Sequence, residues 1–333
     1  MAATSRFRPR TIAGAIVAAA TIIGAVSIAF GFFGSSVEAF DSVGHFRAHL
    51  SVVVLVLALL SLAIRRPMAA VIGLVAAGVG LVTTLPFLLP PSGTAEPSAG
   101  TPVYSMLQMN LRFNAPDRSP ALRVIADTRP DVVTLQEVTD DWRGAFEALK
   151  AVYPYQAFCG SYGVGGSGIL SRRPFLPSSG LDVCEPKDGL VARSVDFNGQ
   201  AVTLAALHLE WPWPHKHWQQ IARLRSILPD LSKPVLLGGD FNAVPWSAAV
   251  TTLAGAGGLS VMRGIGPSWM NYDFPALPAR WFGLPIDNVL ASPEIAVLSI
   301  GTLAPTQSDH LPVLVRFTVA RPAAPPPVAV VSR

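Results

Sequence analysis

A carboxylate and a carboxamide stand two residues apart in Gly238-Gly239-Asp240-Phe241-Asn242, directly after the apolar run Pro234-Val235-Leu236-Leu237. The run is predicted to be a buried strand, and the two glycines let its end turn sharply. Residues two apart in extended chain share a face, so Asp240 and Asn242 can meet one substrate together. The competing reading is a turn in which Asp240 caps its own backbone. Four more segments place polar groups at strand ends. Asn110 closes Val103–Met109, Glu137 closes Asp131–Gln136, His208 closes Ala201–His208, and Asp287 sits in Pro285–Leu290. Ser308-Asp309-His310-Leu311-Pro312 then precedes a last strand, Val313–Val319. An acid beside an imidazole is a means of orienting it and stabilising its cation. A strand-end carboxylate such as Glu137 suits a hard divalent cation, and Asn110 beside it suits metal or phosphate. The alternatives are a helix N-cap for Asn110 and Glu137 and a structural role for His208.

These residues need strands whose ends meet. Val103–Met109, a helix over Pro120–Thr128 and the strand Asp131–Gln136 form a strand-helix-strand unit, which makes the two strands parallel neighbours and brings Asn110 and Glu137 together. Val191–Phe197 and Ala201–His208 are predicted to pair as a hairpin through Asn198-Gly199. The glycine-rich stretch Gly163–Gly168 lacks the Lys-Ser/Thr ending of a phosphate loop and reads as a tight turn before a strand. Trp211-Pro212-Trp213-Pro214-His215-Lys216-His217-Trp218 follows His208. Trp211 and Trp213 there are candidates for substrate contact: the loop suits stacking on a base, resting at a lipid interface, or packing the rim.

Taken in order, Met109-Asn110, Leu135-Gln136-Glu137, His208-Leu209, Gly239-Asp240-Phe241-Asn242, Ile286-Asp287 and Ser308-Asp309-His310 resemble the endonuclease/exonuclease/phosphatase superfamily over about residues 102–320. The resemblance implies a four-layer α/β sandwich, αββα, of two mixed sheets with helices outside. It implies hydrolysis of a phosphodiester or phosphomonoester with Mg2+, or Mn2+ in its place. By the same resemblance Glu137 is the main metal ligand, helped by Asn110 and Asp309. His208 binds phosphate and serves the leaving group. Asp240 and Asn242 position water and phosphoryl oxygens, and Asp287 orients His310. Either Asp240 or His310 is left as the base. Arg112 stands where some nucleases of the superfamily carry an acid, which leaves one metal as the expectation. Nucleic acid, a phospholipid headgroup and a small phosphoester all remain open as substrate. The alternative is a non-catalytic membrane module that keeps the fold. No protein partner is indicated.

Composition divides the chain of 333 residues. Its mean hydropathy is +0.44 and its charged fraction only 14%, well below the roughly 25% usual in soluble domains. From residue 101 onward lie 19 of the 25 Lys and Arg and 18 of the 21 Asp and Glu, a difference of +1. That excludes a strongly basic nucleic-acid binder but not a nuclease. The apolar excess sits before residue 90. Three runs, about 11–33, 48–64 and 68–89, approach the roughly 20 residues that cross a bilayer. Arg6, Arg8 and Arg10 precede the first, and Arg65-Arg66 separate the last two. The positive-inside rule then puts the N-terminus in the cytoplasm and the domain after Leu89 outside, as in a bacterial inner-membrane protein. Residues 90–101 read as a flexible linker and the Pro-rich 321–333 as a disordered tail. Cys159 and Cys184 fall outside the cytoplasm, where a disulfide is permitted; two buried thiols are the alternative.

Overall fold

The computed structural model describes residues 9–90, 100–160, 163–177, 182–269 and 282–320. Most of the expected linker and all of the expected tail lie outside these residues. The helical region comprises α1 (Pro9–Phe30), α2 (Glu38–His45), α3 (Arg47–Ala63) and α4 (Pro67–Leu88). The α/β region runs β1 (Tyr104–Asn110), α5 (Ser119–Thr128), β2 (Val132–Val138), α6 (Asp140–Phe146), β3 (Tyr155–Cys159), β4 (Gly166–Ser171), β5 (Val183–Glu185), β6 (Leu190–Asp196) and β7 (Ala201–His208). It continues with α7 (His217–Ile227), β8 (Val235–Asp240), α8 (Ala248–Gly257), β9 (Ser260–Val261), β10 (Asp287–Ala291), β11 (Ile295–Thr302) and β12 (Val313–Val319).

Two six-stranded mixed sheets form, β11-β12-β1-β2-β4-β3 and β5-β6-β7-β8-β10-β9. One apolar core, with Met106, Ile169, Leu204, Leu236 and Phe317, fills the space between them. A second joins Ile221, Leu224, Val250 and Leu253 of α7 and α8 to the outer face of one sheet. A third joins Ile125, Trp142 and Phe146 of α5 and α6 to the other. The layers are therefore helix, sheet, sheet, helix, the four-layer sandwich expected. β1 and β2 are parallel neighbours, with Asn110 opposite Gln136. The β6–β7 hairpin turns at Asn198 and Gly199, both at positive φ, the backbone such a two-residue turn requires.

Cys159 and Cys184 are joined, tying β3 of one sheet to β5 of the other. Closing a loop of this length restricts the unfolded chain by about 3 kcal/mol. A Cys159→Ser/Cys184→Ser protein should lose about that much stability in a denaturant titration, and the parent should shift likewise on reduction. A peptide map of the unreduced protein should show the two cysteine peptides linked.

Two of the expected spans are long helices. Residues 12–30 of α1 and 67–88 of α4 are long and apolar enough to cross a bilayer. The middle one differs from expectation. Only 17 residues long, α3 reaches the needed length together with α2, from which it bends by 67° at Phe46. The helices pack through small residues: a Cβ on Gly24 would lie 2.5 Å from Val54, and one on Gly73 would lie 2.5 Å from Thr21. Close backbone approach of this kind is how apolar helices associate in lipid. Val71, Val75 and Val82 of α4 face outward.

The α2 side of the bend at Phe46 is bonded to the α/β region. Asp41 of α2 accepts backbone N–H groups from Ala248 (2.7 Å) and Ala249 (3.2 Å), capping the N-terminus of α8. Trp246 donates its indole N–H to the Gly44 carbonyl at 2.9 Å. Gly266 donates to the Phe87 carbonyl, and Phe87 packs on Trp246. Ala48, Val244, Trp246, Leu284 and Ile286 form a shared buried cluster with Phe87, Leu88 and Trp269 beside it. The α/β region is thus seated directly on one end of the helical region. Replacing a capping carboxylate costs about 1–2 kcal/mol. Asp41→Ala should lower thermal stability of the detergent-solubilised chain by about that amount, and Asp41→Asn should lower it less.

Candidate active site

The cleft lies where the C-terminal ends of β1, β2, β7 and β8 meet the start of β10 and the turn before β12. Asn110 and Glu137 come from one sheet; His208, Asp240 and Asp287 come from the other. Register sets the second group: His208 is opposite Asp240 across β7–β8, and Asp287 is opposite Asp240 across β10–β8. Gly239 is required there, because a Cβ would lie 2.0 Å from the Leu207 carbonyl oxygen. Glu137 leaves its ladder. The β2–β4 pairing shifts between Leu135 and Val138, and Glu137 adopts φ +61°. Gly165, from the glycine-rich turn, backs this kink so closely that a Cβ would lie 2.7 Å from the Glu137 carbonyl carbon. The turn therefore contributes a wall of the cleft.

Asp240 is the centre. Its Oδ2 lies 3.5 Å from Nε2 of His208 and 3.5 Å from Nε2 of His310, and accepts from Asn110 Nδ2 at 2.9 Å. Its Oδ1 accepts the Asn242 backbone N–H at 2.8 Å. The self-capping turn is thus present, and Asp240 and Asn242 line the same cleft. Asn242, at φ +46°, donates its side-chain amide to the Leu209 carbonyl, 2.7 Å away. Behind His310, Nδ1 is 2.8 Å from Asp287 Oδ2. Asp287 Oδ1 accepts from Gln108 Nε2 at 2.9 Å, and Gln108 also donates to Gln136 at 2.8 Å. Ser308 fixes the turn by donating to the Asn110 carbonyl at 2.7 Å and accepting the His310 N–H at 3.1 Å.

Charge follows from this geometry. Burial on its own lowers the His310 pKa, but the carboxylates of Asp287, Asp240 and Asp309 and the Asp287 hydrogen bond outweigh it and push it up to about 10. Burial raises Asp240 above the usual carboxylate range, against the pull of His310 and then His208. At neutral pH, His310 is therefore an imidazolium braced by Asp287.

Glu137, Asp240 and Asp309 line one cleft of about 290 Å³ with His208, His310 and Asn242. Glu137 accepts from Asn110 Nδ2 (3.1 Å) and from the Phe113 N–H (2.7 Å), and Asp309 accepts from the Trp269 indole (3.3 Å). Among the described lining residues, Lys187 is the only Lys or Arg. Unbalanced carboxylates facing open space fit a hard divalent cation. Asp240, Asp287 and His310 also bring ligand-type atoms within 4.8 Å of one another. Since both Asp287 oxygens are engaged by Gln108 and His310, that trio is better read as a hydrogen-bonded relay. Asn110 turns its oxygen to the Arg112 N–H (2.9 Å) and its amide to both Glu137 and Asp240; it joins the two carboxylates as a donor. Trp211 lines the cleft, whereas Trp213 is exposed and lies outside the lining.

Sequence reasoning missed Gln108, Gln136 and Trp269. The two glutamines carried a signal, being polar residues inside otherwise apolar strands. Trp269 carried none. It bridges both Leu284 and His310, and its ring meets that of Trp211.

Residues 107–310 match the model of the Endonuclease/Exonuclease/phosphatase family. The chain belongs to this family, whose members are hydrolases acting on phosphoester bonds. Similar solved structures include humanised D. rerio TDP2 at 22% identity, covering 65% of this chain and 99% of that one, with a TM-score of 0.53. An endonuclease/exonuclease/phosphatase protein from Bacteroides vulgatus is 18% identical, covering 66% and 99%, with a TM-score of 0.53. The human Nocturnin catalytic domain with bound sulfate is 19% identical, covering 66% and 96%, with a TM-score of 0.51. These likenesses concern the fold. A comparison with curated proteins found no match.

Proposed function

We propose that this protein is a membrane-anchored, Mg2+-dependent phosphoesterase that hydrolyses a phosphodiester or phosphomonoester by direct attack of water. The observation that carries the reading is Asp240 Oδ2 set between two imidazoles, one of them braced by Asp287. Asp240, with its raised pKa, accepts the proton of the attacking water. His310, already protonated, offers charge and a donor to a phosphoryl oxygen. His208, whose Nε2 is also 3.5 Å from Asp240 Oδ2, serves the leaving group. Asn242 and Asn110 hold the Asp240 carboxylate in place. Glu137 and Asp309 would hold the divalent ion, which when bound neutralises charge on the phosphoryl oxygens. Glu137→Gln should weaken Mg2+ binding about tenfold in calorimetry; unchanged affinity would remove Glu137 from the metal site.

The membrane part rests on α1, α4 and the bent α2–α3 pair. The disulfide and the basic residues flanking the spans support an extracytoplasmic active site. A C-terminal phosphatase fusion should be active in the periplasm, and activity confined to the cytoplasm would reverse the topology. The activity test is a panel on the full chain in detergent, with Mg2+ and with EDTA: plasmid DNA, single-stranded RNA, lipid vesicles and bis-p-nitrophenyl phosphate. EDTA-sensitive hydrolysis of any of them supports the reading. Folded protein inert toward all of them would favour the non-catalytic alternative.

A further inference from the structure

The ends of the membrane helices and the rim of the catalytic cleft are one continuous surface. Phe87 and Leu88, the last turn of α4, pack into the cluster of Val244, Trp246, Leu284 and Ile286, with Trp269 at its edge. Trp269 is also a wall of the cleft, bonded to Asp309 and in edge contact with Trp211. A helix end and the catalytic cleft are thus separated by little more than one aromatic layer. A second link runs through α2, whose Gly44 carbonyl accepts the Trp246 indole N–H.

The exposed apolar side chains of the α/β region gather at the same end. Among the described residues, the large ones are Val152 and five others: Phe113, Val164, Trp211, Trp213 and Phe282. Val164 and Trp211 line the cleft, Phe113 and Trp213 follow the strand ends of β1 and β7 that form it, and Phe282 precedes β10. Trp211 and Trp213 are each more than half exposed. Exposed indoles beside helices that end at a bilayer surface suit the headgroup layer, where an apolar ring and a polar N–H are both accommodated. A gathered apolar rim marks an interaction surface rather than chance exposure.

We infer that the rim of the cleft rests on the bilayer surface at which the helices end, and that the cleft takes its phosphoester from a lipid of that leaflet. This rests on the membrane-anchored phosphoesterase reading above and names its substrate class. The Asp41 cap and the Trp246–Gly44 bond hold the mouth against the membrane, so a headgroup reaches Asp240 without the lipid leaving the bilayer. The tryptophan loop then contacts the lipid around the scissile phosphate rather than a stacked base.

The test uses the full chain in phosphatidylcholine–phosphatidylglycerol nanodiscs with Mg2+ or Mn2+. Two matched pairs present the same scissile group from the disc and from water. One is a dioleoylglycerol p-nitrophenyl phosphodiester against methyl p-nitrophenyl phosphate, and the other is phosphatidic acid against glycerol 3-phosphate. The anchored member of a pair should show kcat/KM higher by at least about tenfold, because confinement to one surface raises effective concentration. Independently of activity, brominated phosphatidylcholine should quench part of the tryptophan emission, and that part should fall in Trp211→Phe/Trp213→Phe. Equal rates for the anchored and soluble members, with the same quenched fraction in parent and variant, would overturn the proposal and leave the phosphoesterase reading standing. Failure to cleave any of the four substrates, or plasmid DNA or single-stranded RNA, would remove both. Plasmid nicking with no preference for anchored substrates would assign the site to nucleic acid.

Discussion

Asp240→Asn is expected to lower turnover by about 10³-fold while leaving the fold intact. The carboxamide matches the carboxylate in shape. Its single amide oxygen can still accept from either Asn110 Nδ2 or the Asn242 N–H, while the other donor then faces an NH2 and loses its acceptor. What disappears is the buried charge between His208 and His310 and, with it, the acceptor for the water's proton. The distinction from a structural defect is direct. Circular dichroism and thermal unfolding in EDTA should remain close to the parent's, and any loss should fall on kcat rather than KM. A variant with more than about a tenth of parental kcat would take the proton-acceptor role away from Asp240.

His310→Ala should cost about 10² or more in kcat/KM, and the Asp287–His310 pair should reveal itself through pH. Because the folded pKa of His310 is raised to about 10, above the ordinary value of about 6.5, its protonation stabilises the folded state. That contribution is fully present below pH 6.5 and is lost as pH rises toward 10. In EDTA, the difference in melting temperature between parent and His310→Gln should therefore shrink between pH 7 and 10. Asp287→Asn removes the nearest charge that raises the pKa, so this loss should occur at lower pH. It should also move the alkaline limb of the rate profile downward. A rate profile identical to the parent's would mean that Asp287 has no hold on His310 and serves packing alone.

The polar strand ends were legible because their signal is local. Asn110, Glu137, His208, Asp240 and Asp287 each interrupt or close an apolar run, and strands that begin in a strand-helix-strand unit place such ends on one edge. The Asn198-Gly199 turn was legible for the same reason: two residues at positive φ leave few alternatives to a hairpin. Three apolar runs before residue 90 stood out by length and composition alone. What the chain's order could not supply is which of these polar groups meet. Gln108 reaches Asp287 across two packed sheets, 179 residues away. Trp269 reaches Asp309, and Cys159 meets Cys184, only once the sandwich has closed. The clearest case is Asp41. In sequence it is an acid in a short loop between apolar runs; in the folded protein it caps α8, 207 residues on, from the short helix that precedes the bend at Phe46. Local propensity and periodicity determined the elements and their polar ends. Tertiary packing decided the raised pKa of Asp240, the protonation of His310 and the seating of the cleft on the helices, because burial and pairing energies depend on neighbours distant in the chain.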